Sequence, residues 1–180
     1  YTVFFSPAGK PYTQKVAEHL SSQERILFVC GRYEGMDERC YELADESISL
    51  GDYVLTGGEL AALVVIDSIV RLLPGALGDE MSPRDESFSE GLLEYAQYTR
   101  PADFEGRLVP DVLLSGDHAA VARWRRKSSL ERTATMREDL LANVSLSAEE
   151  QAFIEDIRAH KKASGIQSGG KGEDERNDTH

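Results

Sequence analysis

Residues 3–31 read VFFSPAGKPYTQKVAEHLSSQERILFVCG, and three segments of different character follow one another within this stretch. The apolar residues 3–5 and the largely apolar residues 25–30 predict two buried strands, and the proline and glycine at 6–9 predict a turn after the first strand. Residues 11–21 carry apolar side chains four positions apart, which is typical of one face of a helix. Strand, helix and strand in this order predict a parallel α/β sheet, in which ligands bind beyond the carboxyl ends of the strands.

A second group of predicted elements surrounds residue 50. Residues 47–50 and 53–55 have the composition of two short strands. The sequence Thr56-Gly57-Gly58-Glu59 fits a capping box, in which the Thr56 hydroxyl and the Glu59 carboxylate satisfy free amides at the start of a helix. The helix predicted over residues 60–73 is apolar on nearly every side. A helix of this kind has to be buried, either by the core or by a partner subunit.

The rest of the chain is polar and then helical in pattern. Residues 78–90 carry a proline and a cluster of charges, and they predict an exposed linker or lid. Asp117 is positioned to cap a helix over residues 118–132, and a short helix is predicted over residues 138–143. Ser147 and Glu150 repeat the capping-box pattern before a helix over residues 151–162. The Gly-, Ser- and charge-rich residues 163–180 predict a disordered tail.

Charge is distributed unevenly along the 180 residues, whose formal net charge is −12. Residues 31–90 hold 4 Lys and Arg against 14 Asp and Glu, whereas residues 119–138 hold 6 basic against 2 acidic side chains. The overall charge argues against generic nucleic-acid binding, because that normally requires a basic face. A contact with a polyanion is therefore expected in the second half, although a solvated helix face would account for the same charges.

Membrane and secretory signals are not found in the sequence. It has no apolar run of the roughly 20 residues that a membrane-spanning helix needs, and it does not start with a basic and then apolar signal segment. The chain begins inside an apolar stretch without a methionine, which predicts that an N-terminal segment is missing. Cys30 and Cys40 form no Cys-x-x-Cys pair, so a reduced, cytoplasmic protein is expected.

Four blocks of sequence carry a resemblance to a known family. They are CGRYEGMDER at residues 30–39, GDYVLTGGEL at 51–60, YTRP at 98–101, and the region 113–125, which begins LLSGDH and ends RWR. In this order and at this spacing, the blocks resemble the bacterial-type tRNA (guanine-N1)-methyltransferases of the SPOUT, or trefoil-knot, class. The resemblance covers about residues 3–157, and the family's N-terminal segment has no counterpart here.

The resemblance implies an α/β fold in which a parallel SPOUT sheet, incomplete at its N-terminus, ends in a trefoil knot and is followed by a small all-α domain. The boundaries expected on this basis are residues 1–78 for the donor-binding part of the methyltransferase domain and 79–90 for the linker or lid. Residues 91–162 would form a helical tRNA-binding domain, and residues 163–180 the tail. Knots are rare exceptions to ordinary chain topology, so the pattern of elements alone would not predict one.

The resemblance also implies a methyl donor, S-adenosyl-L-methionine, held by three loops. Glycine suits such loops because the main chain can approach a ligand closely where there is no β-carbon. For Glu34, the donor's positive sulfonium is the expected partner. The residues that match the family's donor site are Phe4, Phe5, Ser6, Pro7, Gly31, Tyr33, Glu34, Leu50, Gly51, Tyr53, Leu55, Gly57, Gly58 and Ala61.

The implied reaction is methyl transfer to N1 of the guanosine immediately 3′ of the tRNA anticodon, a modification that keeps the reading frame. The N1 proton has to leave to a general base. The family usually carries Asp-Ser-Phe in its lid, with the aspartate as base, and this chain has Glu86-Ser87-Phe88. Glu86 is thus the expected base, and its neighbour Asp85 is the alternative. Arg71 matches the family arginine that stabilises negative charge on the guanine, and a helix ion pair with Asp67 is a compatible role.

The tRNA is expected to contact a set of polar and aromatic residues, most of them in the second half of the chain: Arg32, Arg100, Ser115, His118, Arg123, Trp124 and Arg125. Trp124 either stacks on a base or packs in the small core. The family acts as a homodimer with each active site at the subunit interface. Magnesium is possible, but no carboxylate cluster identifies a metal site, and His118 has no second ligand at a usable spacing.

Two other functions are compatible with the sequence. A chain that lacks the N-terminal strands could be a non-catalytic fragment that binds the donor. Another SPOUT enzyme, acting on ribosomal RNA or on a ribose hydroxyl, is disfavoured by the blocks at 98–101 and 113–118, which belong to the tRNA guanine enzymes.

Overall fold

The structure is a computed structural model that describes residues 1–32, 35–77, 87–88 and 90–163. The chain forms two compact units, Tyr1–Ser89 and Glu90–His180. The predicted tail lies, apart from Ala163, outside the described residues, as does most of the predicted lid.

A three-stranded sheet forms the centre of the first unit. Its strands are β1 (Thr2–Pro11), β2 (Leu27–Val29) and β3 (Glu46–Ser49), and their order in the sheet is β2-β1-β3. Both pairs are parallel, with Val3 opposite Phe28 on one side and opposite Glu46 on the other. The predicted parallel α/β sheet is confirmed.

Three helices accompany the sheet: α1 (Gln14–Ser21), α2 (Glu38–Tyr41) and α3 (Glu59–Val70). The core consists of apolar side chains from β1, α1, β3 and α3, namely Val3, Leu20, Ile48, Val65 and Ile69. A hydrogen bond of 2.6 Å between the hydroxyls of Tyr12 and Ser68 fastens the end of β1 to α3. The short helix α2, which Asp37 caps by accepting from the Arg39 amide at 3.0 Å, has no periodic signal in the sequence.

The turn predicted at residues 6–9 proves to be an interruption inside a longer strand. Phe5 and Lys10 both pair with Ile48, so the residues between them loop out of the ladder. Gly9 lies directly against β3, because a β-carbon at this position would be 2.6 Å from the main-chain nitrogen and carbonyl carbon of Ile48. Only glycine allows that approach.

Two local predictions near residue 56 are wrong. Residues 53–55 form no strand, and the capping box does not form. Helix α3 begins at Glu59 with Gly58 as its N-cap, which leaves Thr56 too far from the first turn to cap it. The Glu59 carboxylate binds Arg32 instead, at 2.8 Å from Nε.

The second unit is mainly helical. It contains α4 (Asp111–Leu114), α5 (His118–Met136), a 3₁₀ helix (Glu138–Asn143) and α6 (Ala148–Ala163). It also contains an antiparallel hairpin of β4 (Asp103–Phe104) and β5 (Arg107–Leu108), so the expectation of an all-α unit requires correction. Glu105 and Gly106, which join the two strands, both have positive φ, 54° and 79°, as in a type I′ turn. Glutamate is not among the residues that usually signal this turn, and strands of two residues show no alternation, so the local pattern did not predict the hairpin.

Buried hydroxyl groups of helix α5 bind the main chain of the extended segment 93–96. The Thr133 hydroxyl accepts from the Leu93 amide at 2.9 Å and donates to the Ser129 carbonyl at 2.7 Å. The Ser128 hydroxyl accepts from the Ala96 amide at 3.0 Å. These bonds satisfy main-chain amides that would otherwise be costly to bury. The capping box of Ser147 and Glu150 is confirmed, with reciprocal bonds of 2.8 and 3.2 Å.

The predicted cap of α5 is also confirmed, since an Asp117 carboxylate oxygen accepts from the amides of Ala119 and Ala120, both at 3.0 Å. Asp117→Ala should therefore lower the free energy of unfolding by about 0.5–2 kcal/mol. Asp117→Asn keeps an acceptor oxygen and is the matched control, with a smaller loss. Urea denaturation measures both, and equal losses in the two variants would contradict the capping role.

Candidate functional site

A cleft opens at the carboxyl edge of the parallel sheet. Residues 5–7, where β1 leaves its ladder with β3, meet there with the loops that follow β2 and β3 and with the start of α3, and together they enclose about 230 Å³. The lining combines small, apolar and hydroxyl residues: Phe5, Ser6, Pro7, Gly31, Gly35, Tyr41, Ile48, Ser49, Leu50, Gly51, Tyr53, Val54, Leu55, Thr56, Gly57, Gly58 and Ala61. Ligands of parallel sheets bind at this edge, so the position agrees with the expectation from strand order.

Most residues predicted to bind the donor lie in this cleft. Eleven of the fourteen line it, from Phe5 to Ala61. Phe4 does not, because its side chain is buried below the cleft and packs edge-on against Tyr41 at 5.5 Å between ring centroids. The other two, Tyr33 and Glu34, lie outside the described residues.

Two glycine loops are joined across the mouth of the cleft. Arg32 and Gly57 form an antiparallel bridge, and the Gly58 amide donates to the Gly31 carbonyl at 3.2 Å. Beside this bridge, the Arg32 guanidinium approaches Glu59 Oε1 to 2.7 Å. A hydrogen bond from its own backbone amide, and then the bond from Arg32, hold the pKa of Glu59 below its usual value. Arg32, predicted to contact RNA, thus takes part in closing the two loops.

Gly51 and Gly58 stand where side chains would not fit. Gly51 has a φ of 145°, and a β-carbon there would lie 2.9 Å from the Tyr53 ring. A β-carbon on Gly58 would lie 3.0 Å from the Cα of Cys30. Glycine at these two positions therefore leaves this part of the cleft bare of side chains.

Cys30 lies beside the cleft without the features of a reactive thiol. Burial raises its pKa, and the negative charge of Glu59 adds to the effect. A thiol of this kind stays protonated and is a poor nucleophile, since the thiolate is the reactive form. Within the part of the chain that the structure describes, no group of three or more His, Cys, Asp or Glu could hold a metal ion.

Sequence reasoning missed six lining residues: Gly35, Tyr41, Ile48, Ser49, Val54 and Thr56. Ile48 and Ser49 end a predicted strand, and the rule that ligands bind at strand ends would have found them. Val54 and Thr56 lie between the predicted residues Tyr53, Leu55 and Gly57, in a loop of which every residue from 53 to 57 lines the cleft. Tyr41 belongs to the unpredicted helix α2, and nothing in the local sequence indicates its role.

Two of the three predicted catalytic residues, Asp85 and Glu86, lie outside the described residues. Arg71 is the C-cap of α3, where its amide donates to the Asp67 carbonyl at 3.3 Å, and its side chain is half-buried.

The remaining predicted RNA contacts belong to the second unit. Ser115 precedes α5, and His118, Arg123, Trp124 and Arg125 lie on that helix, while Arg100 is in the extended segment before the hairpin. The arginines and His118 are exposed, whereas Trp124 is half-buried, with its ring 6.2 Å from that of Tyr98. The Arg125 guanidinium lies 4.6 Å above the Tyr95 ring.

Comparison with known proteins shows the family of the chain. The family described as tRNA (Guanine-1)-methyltransferase TrmD matches residues 1–143 of the chain. The chain belongs to this family. The match extends over the whole cleft of the first unit and into the second unit as far as the 3₁₀ helix.

Several curated relatives, each called tRNA (guanine-N(1)-)-methyltransferase, are similar to the chain over most of its length. The protein of Lactobacillus johnsonii is 53% identical over 160 residues, which are 89% of this chain and 67% of the relative. That of Syntrophotalea carbinolica is 54% identical over 87% of this chain and 63% of the relative, and that of Brevibacillus brevis 55% identical over 89% and 66%. The chain thus spans about two thirds of the length of the curated relatives that it matches. None of the helices among the described residues has both the length and the apolar character needed to cross a membrane.

The positive φ of Gly51 provides a test of the cleft. In Gly51→Ala the strained backbone, at a cost of about 1–3 kcal/mol, and the displaced Tyr53 ring should weaken binding of S-adenosylhomocysteine by about tenfold or more. Gly75→Ala is the matched control: its φ of 76° is also positive, but a β-carbon there meets nothing within 4 Å and the residue is not part of the cleft. Calorimetry gives both affinities, and an unchanged affinity in Gly51→Ala would show that the ligand binds elsewhere.

Proposed function

We propose that the protein transfers a methyl group from S-adenosyl-L-methionine to N1 of the guanosine immediately 3′ of the anticodon in tRNA. The observation that carries this proposal is the cleft at the carboxyl edge of the sheet, which brings together the three loops whose sequences match the donor site of the family. The names of the curated relatives agree with the reaction. The substrate implies action in the cytoplasm.

The cleft fits an adenosine-containing donor. Gly51, Gly57 and Gly58 line it without side chains, and the rings and methyl groups of Phe5, Leu50 and Leu55 offer apolar contacts to the adenine ring. When bound, the donor supplies an electrophilic methyl group on a positive sulfur. The chain's own contribution is to hold the methyl group in line with the accepting nitrogen, where positioning accounts for much of the barrier reduction.

Removal of the guanine N1 proton is assigned to the lid. Glu86 accepts this proton in our proposal, with Asp85 as the alternative. Arg71 stabilises the negative charge that remains on the guanine. The assignment rests on the match of Glu86-Ser87-Phe88 to the family's lid sequence. The glutamate side chain is one methylene longer than that of the usual aspartate, so the lid has to stand slightly further from the guanine.

The second unit is proposed to hold the tRNA. Arg100, Arg123 and Arg125 are exposed and suited to phosphate contacts, and the charge of residues 119–138 is positive in an otherwise acidic chain. Ser115 and His118 flank the cap of α5 and are proposed as hydrogen-bonding partners of the RNA. Family membership further supports residues 1–78 as a donor-binding SPOUT domain with a trefoil knot, and residues 91–162 as the tRNA-binding domain.

A homodimer is proposed because helix α3 leaves one apolar face uncovered. Ala61, Ala62, Val65 and Ile69 are buried against the sheet and α1, whereas Leu60 and Leu63 are 62% and 60% exposed. Val64 and Val70 extend the exposed stripe. Such a face marks a surface that another protein covers. Sedimentation velocity tests the proposal, and a monomer at micromolar concentration would contradict it.

The reaction itself is tested with an unmodified tRNA transcript and tritiated S-adenosylmethionine. Methylation should require the guanosine 3′ of the anticodon and should disappear when adenosine replaces it. Equal incorporation into both transcripts would contradict the proposed target. Binding of S-adenosylhomocysteine without any methylation would identify the chain as a donor-binding fragment.

The identity of the general base is tested by three substitutions in the lid. Glu86→Gln should keep the affinities for donor and tRNA, while single-turnover methylation falls by about 10²-fold or more. Glu86→Asp restores the usual family residue and should retain substantial activity. Asp85→Asn is the matched control and should change little. A dead Asp85→Asn with an active Glu86→Gln would assign the proton to Asp85 instead.

A further inference from the structure

The second unit contains a concave site of its own, lined by residues 95–100 together with parts of the hairpin region, α4 and α5. It encloses about 360 Å³ and lies within a single unit. Its lining is largely aromatic and aliphatic with two guanidinium groups: Tyr95, Ala96, Gln97, Tyr98, Thr99, Arg100, Ala102, Val109, Leu113, Leu114, Val121 and Arg125. This size is that of a small-molecule site rather than of a packing defect.

Aromatic rings form one wall of the cavity. Tyr98 is 46% exposed although its ring contacts Trp124, so a large part of the ring is available to a ligand. Tyr95 carries the Arg125 guanidinium over its face at 4.6 Å. Leu113 and Val121 provide an apolar surface that a flat ring could cover. Planar, aromatic ligands are therefore favoured over flexible aliphatic ones.

The charge of the cavity selects an anion. Arg100 and Arg125 both line it, and among the described lining residues none is Asp or Glu. In the part of the chain that the structure describes, neither guanidinium takes part in an ion pair, although Arg107, Arg126, Arg137 and Arg158 on the same unit do. Two uncompensated arginines beside aromatic rings match a ligand that combines an aromatic base with phosphate.

The main chain around the cavity is held in place before any ligand binds. The Ala96 amide donates to the buried Ser128 hydroxyl, and the Val109 amide donates to the Ala102 carbonyl at 2.9 Å. These bonds fix the segment 95–100 and the base of the hairpin against α5. A preformed site of this kind loses little conformational freedom on binding.

We propose that this cavity binds one unpaired nucleotide of an RNA strand, with the base against Tyr98 and the apolar surface and the adjoining phosphate at Arg100 and Arg125. A paired base inside a helix is stacked on both faces and cannot enter, so the site distinguishes single-stranded from double-stranded RNA. The inference rests on the proposed function only in taking RNA as the ligand. It assigns the second unit a base-binding site separate from the cleft of the first unit.

Trp124 is the only tryptophan of the chain and adjoins Tyr98, so its fluorescence reports on the cavity. The protein, saturated with S-adenosylhomocysteine to occupy the first cleft, is titrated with a guanosine-containing RNA heptamer and with a blunt duplex of the same sequence. The single strand should change the fluorescence with saturation and bind about tenfold or more tightly than the duplex.

Substitutions separate the cavity from general electrostatic attraction. Tyr98→Ala and Arg125→Ala should each weaken binding of the heptamer by about tenfold, whereas Tyr98→Phe keeps the ring and most of the affinity. Lys127→Ala is the control, because it removes one positive charge from the same helix while its ammonium lies over Phe153, outside the cavity. Circular dichroism verifies that each variant is folded.

Three results would overturn the proposal: a duplex that binds as well as the single strand, a loss in Lys127→Ala equal to that in Arg125→Ala, or no saturable response to the heptamer. Calorimetry with S-adenosylhomocysteine on the same variants is independent of this outcome. Normal donor binding and methylation together with an unresponsive cavity would refute the base-binding site and leave the proposed function standing.

Discussion

The pairing of β1 with β3, and the break within it, is the constraint on which the first unit depends. Phe5 and Lys10 share Ile48 as a partner, so the intervening residues must leave the sheet at its carboxyl edge. Ser6 and Pro7 line the cleft as a result. The arrangement requires Gly9, since any β-carbon there would collide with the main chain of β3. The same pairing brings Leu50 and Gly51, which follow β3, to the opposite wall.

Contacts between loops that are distant in sequence form the remaining wall of the cleft. The bridge between Arg32 and Gly57, the amide of Gly58 on the Gly31 carbonyl, and the ion pair of Arg32 with Glu59 join the loop after β2 to the start of α3. An exposed ion pair contributes only about 0–1 kcal/mol, so its role here is to fix the geometry of the loops. Small residues make this closure possible, because Gly58 packs directly on the main chain of Cys30.

The sequence was most informative where strand order and helix caps determine structure. The parallel sheet and the caps at Asp117 and Ser147 were predicted because hydrophobic period, turn residues and capping side chains act locally. Most of the cleft residues were predicted from the resemblance of their loops to the family. The capping box at Thr56 failed because Glu59 binds Arg32, a contact across 27 positions that no local pattern reveals. Helix α2 was missed because it has only four residues, and the hairpin because each of its strands has only two. Elements this short show no periodic pattern in the sequence. Phe4 was assigned to the donor site, but the alternation of β1 turns its side chain to the face opposite Val3 and Phe5, where it is buried beside Tyr41. The roles of Glu86 and Asp85 rest on family resemblance alone.

We propose that the three segments of the cleft act as one binding site for an S-adenosyl ligand. Hydrogen–deuterium exchange, measured with and without saturating S-adenosylhomocysteine, tests it most directly. Main-chain amides within residues 5–9, 31–35 and 50–58 should all become protected together, while those of the hairpin in the second unit remain unchanged. Protection confined to one loop, or found instead in the second unit, would contradict the account.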